Sequence, residues 1–180
     1  MTNQDSPAVS DSDHVDGILE QWKVERPDMD ASAMALMGRM YRLNHFLRQE
    51  IEICYKQWNL TTGEFDVLAT LLRHGAPYQL TPTELFRSAM LSSGAMTNRL
   101  NRLEQRGLIC RSEASSDRRS LPVALTEEGK ALIEEAIEAH AANQLRLIQP
   151  LAEDDQVALN RIVKQWLAHY DEQTEPGSKG

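Results

Sequence analysis

Residues 92–126 read SSGAMTNRLNRLEQRGLICRSEASSDRRSLPVALT, and the period of their apolar residues changes once, at Gly107. Before it, Met96, Leu100 and Leu103 recur at three- and four-residue spacing, which places them on one stripe of a helix that starts at Ser92 or Ser93 and runs to Arg106. Gly107 stops that helix. After it, 108–112 and 121–125 read as two strands, the second alternating Leu121, Val123 and Leu125, with the polar stretch 113–120 joining them as a hairpin. Upstream, Thr81 and Glu84 fit a capping box with Pro82 at the first helical position, opening a short helix to Ala89. Thr61 and Glu64 fit another box, for a helix over 63–74 that Gly75 can end.

Further out the chain remains helical. Val15, Ile18, Leu19 and Trp22 make a short amphipathic helix that ends before Pro27, and Asp30 can cap a helix over 31–58. At ~1.5 Å per residue the latter spans roughly 40 Å, longer than a small domain requires, and such a helix usually finds a partner. Thr126 caps a helix to Ile148 that breaks at Pro150. A last helix over 153–171 carries Val157, Ile162, Val163, Trp166 and Tyr170. The organisation expected is a disordered acidic tail (1–12), an N-terminal helix followed by a long helix (13–58), a lobe of short helices and a hairpin (59–125), C-terminal helices (126–172) and a tail (173–180). The fold class is mainly α with a small β-hairpin wing.

The chain has 180 residues, 41% hydrophobic and 26% charged, with a net charge of −8. That sum hides an uneven distribution. Residues 78–125 hold seven arginines (Arg87, Arg99, Arg102, Arg106, Arg111, Arg118, Arg119) against four acids, whereas the first thirty residues hold eight acids and two bases. No stretch nears the ~18 apolar residues of a membrane span. Cys54 and Cys110 have no CxxC spacing, so neither a disulfide framework nor a four-cysteine zinc site is expected, and a cytoplasmic location fits. The five histidines show no HxxxH or HExxH spacing, and neither a glycine-rich phosphate loop nor GxSxG occurs. No metal, required cofactor or enzyme activity is expected.

A helix, a tight turn, a second helix and a hairpin in this order describe a winged helix-turn-helix, whose second helix enters the major groove of double-stranded DNA. Opposite Met96, Leu100 and Leu103, the residues Ala95, Asn98 and Arg102 are free to meet base edges and phosphates. The helix start at Ser92 and Ser93 offers amides to a phosphate. Thr83 and Thr97 join the candidate contacts. Arg118 and Arg119 stand on the hairpin tip, where cations can enter a narrow minor groove.

The stretch Asp117-Arg118-Arg119-Ser120-Leu121-Pro122-Val123-Ala124-Leu125-Thr126-Glu127-Glu128-Gly129 resembles the wing signature of the MarR family of bacterial transcription regulators. Leu100 to Ile109 is similar to that family's second landmark. The resemblance spans roughly residues 31–170. It implies that Arg119 reaches the minor groove, that Asp117 braces the wing and that the start of the Ser93 helix reads the major groove. It also implies a homodimer held by the terminal helices, and two-fold symmetry then gives a palindromic operator with half-sites ~34 Å apart.

The added helix around Trp22 and the motif Phe65-Asp66-Val67-Leu68 look like the urate-responsive branch of the family. That resemblance implies an effector pocket of Trp22, Asp66, Arg99 and Arg111. A flat anionic ring suits them: Trp22 offers a ring contact, the planar forks of Arg99 and Arg111 meet oxyanions, and Asp66 accepts from ring N–H groups. The implied effector is urate or a related purine or phenolic anion, and its binding would release a repressor from DNA. The bland alternative is an Asp66–Arg99 ion pair, a Trp22 anchor and a strand-edge Arg111. Two further alternatives are a protein-interaction winged helix and an oxidant sensor using Cys54 or Cys110, both of which occupy positions typical of inert buried thiols.

Overall fold

The computed structural model describes residues 12–88, 96–111 and 121–174. In chain order these form α1 (His14–Glu25), α2 (Ser32–Tyr55), α3 (Thr62–His74), β1 (Gln79–Leu80), α4 (Pro82–Ser88), α5 (Met96–Gln105), β2 (Ile109–Arg111), β3 (Val123–Leu125), α6 (Glu127–Ile148) and α7 (Glu153–Thr174). The chain falls into two units that divide inside α2, between Glu50 and Ile51. The helices α6 and α7 lie in the second unit, with α3 to α5 and the three strands.

In the first unit Asp13 caps α1. Its carboxylate accepts the N–H groups of Val15 and Asp16, and the Asp16 carboxylate accepts from the Asp13 N–H. Arg39 on α2 binds both acids, at 2.8 Å and 2.6 Å. Together the guanidinium and the capping amides hold the Asp13 carboxyl down to about 2. Val15 is the buried residue of α1 and packs against Gly38, where a Cβ would stand 3.3 Å from its methyl carbon. The α2 helix begins at Ser32, whose N–H donates to Asp30 as its sequence position suggests.

In the second unit Leu68, Leu71, Leu85, Leu103, Ile109, Val123 and Ile133 form the centre of the core. The α-form of α2 ends at Tyr55, short of the expected residue 58, and Lys56–Trp58 tightens into a 3-10 turn that Asn59 closes with a φ of 51°. Tyr55 stays buried by stacking on Phe65, with ring centroids 4.1 Å apart, and a hydrogen bond of 2.9 Å joins its hydroxyl to His140 Nδ1 on α6. Burial pushes the His140 pKa below its ordinary 6.5 and raises that of Tyr55.

The sign of the His140 effect follows from linkage. Below about pH 6.5 the unfolded chain takes up the proton before the folded one, so stability falls with pH until the depressed folded pKa is passed. Thermal denaturation between pH 7.5 and 5 should show a steeper acid-side loss for the natural chain than for His140→Gln. Parallel curves would remove His140 from the pH dependence.

The sheet is antiparallel in the order β1-β3-β2, with Leu80 opposite Val123 on one side and Cys110 opposite Ala124 on the other. The two wing strands fall within their expected ranges, while β1 is an addition. Two residues cannot display a strand period, so only pairing with β3 defines it. Gly107 takes a φ of 70° and ends α5, its N–H donating to the Glu104 carbonyl. Thr126 caps α6 by accepting from the Gly129 N–H, and its hydroxyl donates to the Gly107 carbonyl at 2.7 Å. Gly129 itself lies flat against the Leu108 carbonyl, leaving no room for a Cβ. Among the described residues no helix is long and apolar enough to cross a membrane.

Candidate nucleic-acid interface and effector site

The α5 helix has three faces, each with its own surroundings. Met96, Leu100 and Leu103 are buried, which is the packing stripe expected from their spacing. Thr97, Asn98, Asn101 and Arg102 are exposed. Thr83 is exposed on the first turn of α4. The other candidate contacts, Ser92, Ser93, Ala95, Arg118 and Arg119, and the wing brace Asp117, lie outside the described residues.

Arg102 is exposed yet not unattached. Its Nε stands 3.2 Å from Oε1 of Glu64, whose side chain is only 1% exposed. The other oxygen of Glu64 accepts from the Thr61 N–H and hydroxyl, both at 2.8 Å, completing the capping box of α3. Arg106, at the C-terminal end of α5, donates to the carbonyls of Trp58 and Asn59 at 3.0 Å and 2.8 Å. The α5 helix is thereby pinned to the turn that follows α2. The sequence reading assigned Glu64 only a capping role and gave Arg106 none. The spacing of the box was visible, but both arginine partners are remote in the chain.

Of the implied effector-pocket residues in the second unit, Arg99 and Asp66 share a flank and Arg111 does not. Arg99 lies over Gly63, where a Cβ would run into its guanidinium, and its Nη1 is buried without a hydrogen-bond partner among the described residues. Asp66 is half-buried on α3, one turn beyond Gly63 and therefore on the same flank. Arg111 goes elsewhere. Its side chain, 8% exposed, donates through the guanidinium to Glu104 at 3.1 Å and Asn101 at 2.9 Å. At ~100° per residue those two positions stand about 140° and about 200° around α5 from Arg99, so the body of the helix separates the two arginines. Trp22 sits on α1 with 41% of its surface exposed.

The thiols also depart from expectation. Cys110 is exposed rather than buried, because its neighbours Ile109 and Arg111 take the inward side of β2. Cys54 is half-buried, and burial raises its pKa.

A family model, the MarR family, matches residues 60–121. The HTH-type transcriptional regulator PecS of Dickeya dadantii is 36% identical over 149 residues, which cover 83% of this chain and 90% of PecS. Among solved structures, the Mycobacterium tuberculosis MarR family protein Rv2887 in complex with p-aminosalicylic acid is 30% identical, with a TM-score of 0.56 over 73% of this chain and 97% of that one. A mutant MarR from E. coli complexed with operator DNA shares the fold, at 24% identity and a TM-score of 0.64 over 77% of this chain and 99% of that one. With the helix order, the wing strands and the amphipathic α5 already described, the chain belongs to the MarR family of winged helix-turn-helix transcriptional regulators and is a regulator, not an enzyme.

Proposed function

We propose that the chain acts in the cytoplasm as a homodimeric repressor on a palindromic operator, and that a flat aromatic anion of the urate or phenolic class releases it. The observation that carries this reading is α5 itself. One short helix presents Thr97, Asn98 and Arg102 outward and keeps, on its flank, an arginine with a buried nitrogen that lacks a hydrogen-bond partner among the described residues. An anion reaching Arg99 pulls on the same helix that meets the groove, so ligand and operator compete through its position. Arg99 supplies the planar donor pair and Asp66 accepts from ring N–H groups. Trp22 enters through the resemblance to the urate-responsive branch. Arg111 braces α5 through Asn101 and Glu104 and acts on the ligand only through that helix. The p-aminosalicylic acid held by the relative Rv2887 supports the aromatic-anion class.

The test is a gel-shift titration of urate and of salicylate-type anions against the natural chain and Arg99→Ala, using an operator selected from random duplexes. A tenfold weakening of the natural chain corresponds to ~1.4 kcal/mol of coupling, and Arg99→Ala should lose most of that response. Equal responses from both proteins would remove Arg99 from the mechanism.

A further inference from the structure

The α3 and α4 helices open with the same device in two settings. Thr81 and Glu84 repeat, bond for bond, the box of Thr61 and Glu64: the second glutamate accepts from the Thr81 N–H at 2.8 Å and from its hydroxyl at 2.7 Å. Glu84 does this while exposed. Capping therefore does not require burial, and a buried carboxylate is costly unless something else engages it. Glu64 is buried, and its second oxygen has no hydrogen-bond partner among the described residues. What it has is Arg102, at 3.2 Å through Nε.

We infer that Glu64 is a positioning residue for DNA binding, which orients the Arg102 guanidinium so that its outer pair of amino groups faces the duplex. This rests on the reading of Arg102 as a DNA contact. Arginine is a planar fork, so an ion pair that draws Nε toward a buried carboxylate restricts how the plane can lie and leaves Nη1 and Nη2 as the outer edge of the guanidinium. Glu64 can impose that plane because its own carboxylate is clamped by Thr61 and sunk in the base of α3. Arg102 is 65% exposed and on the same outward face as Asn98, so the outer pair is available to a paired acceptor on DNA. Phosphate oxygens or guanine O6 and N7 both offer that chemistry. A free arginine at this position would surrender rotamer freedom on binding, and the buried carboxylate removes that loss beforehand.

The test uses operator affinity of the full chain. Glu64→Gln keeps a capping side chain and removes the charge, and Glu84→Gln is the control for the box alone. Glu64→Gln should bind the operator roughly tenfold more weakly, Glu84→Gln within about twofold of the natural chain, and Glu64→Gln added to Arg102→Ala should change affinity less than about twofold further. The same loss in both backgrounds, or operator binding by Glu64→Gln as tight as that of the natural chain or tighter, overturns the inference. Arg102→Ala tests the underlying reading separately: full affinity there removes Arg102 from the interface, whereas a loss there with none in Glu64→Gln removes only Glu64.

If Glu64→Gln does not fold, Arg102→Lys carries the test, since an ammonium is a single point charge that cannot both pair with Glu64 and present a planar pair of amino groups outward. It should show a comparable loss, and full affinity would overturn the inference. The salt dependence of Arg102→Ala distinguishes the two acceptors. A slope smaller by ~0.9 marks a phosphate, and lost discrimination at one base pair marks guanine.

Discussion

A chain carrying Leu159→Glu and Val163→Glu is expected to run as a monomer at micromolar concentration and to lose operator affinity by about three orders of magnitude. In α7 the side chains Leu159, Ile162, Val163, Trp166 and Tyr170 lie on one stripe at helical spacing. Of these, Leu159, Ile162, Val163 and Tyr170 are exposed in the single chain, as are Leu145, Ile148 and Leu151 of α6 and its following turn. An apolar surface of this extent is what the proposed homodimer would cover. Two carboxylates at its centre would each be desolvated in a dimer, at several kcal/mol apiece, enough to raise the dissociation constant by ~10³ or more. Because both positions face solvent in the isolated chain, helicity should hold. Light scattering and circular dichroism check both halves, and an unchanged dimer mass would remove α7 from the interface.

Replacing Gly129 with alanine should destabilise the fold by about 2 kcal/mol, although alanine is the better helix former. The methyl group would enter the Leu108 carbonyl, and a backbone atom cannot rotate aside as a side chain does. The first turn of α6 must then lift from the residue that leads into β2, an overpacking penalty of about 3 kcal/mol, offset by ~1 kcal/mol of helix propensity. For a chain of this length the midpoint of thermal denaturation should fall by roughly 4–8 °C at fixed protein concentration. An unchanged midpoint would mean that α6 does not approach Leu108 as closely as described. The same contact gives a physical reason for the glycine in the stretch Leu125-Thr126-Glu127-Glu128-Gly129. Thr126 caps, and three residues later only a hydrogen fits.

What could be read in advance shares one property: it is settled within a turn or two of chain. The caps at Thr61, Thr81 and Thr126, the stop at Gly107 and the stripe of Met96, Leu100 and Leu103 all follow from bonds and spacings local to themselves. These were enough for the order of helices and for the two wing strands. The strand β1 escaped notice because a pair of residues has no period of its own, and the 3-10 turn at Lys56–Trp58 because nothing in the apolar pattern signals a tighter helix.

The amino-acid order alone thus settled the order of the helices, their capped ends and the two wing strands, since capping and periodicity act through neighbours in the chain. Tertiary packing alone decided where each arginine points. Arg102 meets the carboxylate of Glu64, Arg106 the carbonyls of Trp58 and Asn59, Arg99 the bare backbone at Gly63, and Arg111 the opposite flank of α5. A guanidinium reaches far from its own backbone and finds its partner among groups brought near by folding, so two arginines a few positions apart can serve different faces of one helix.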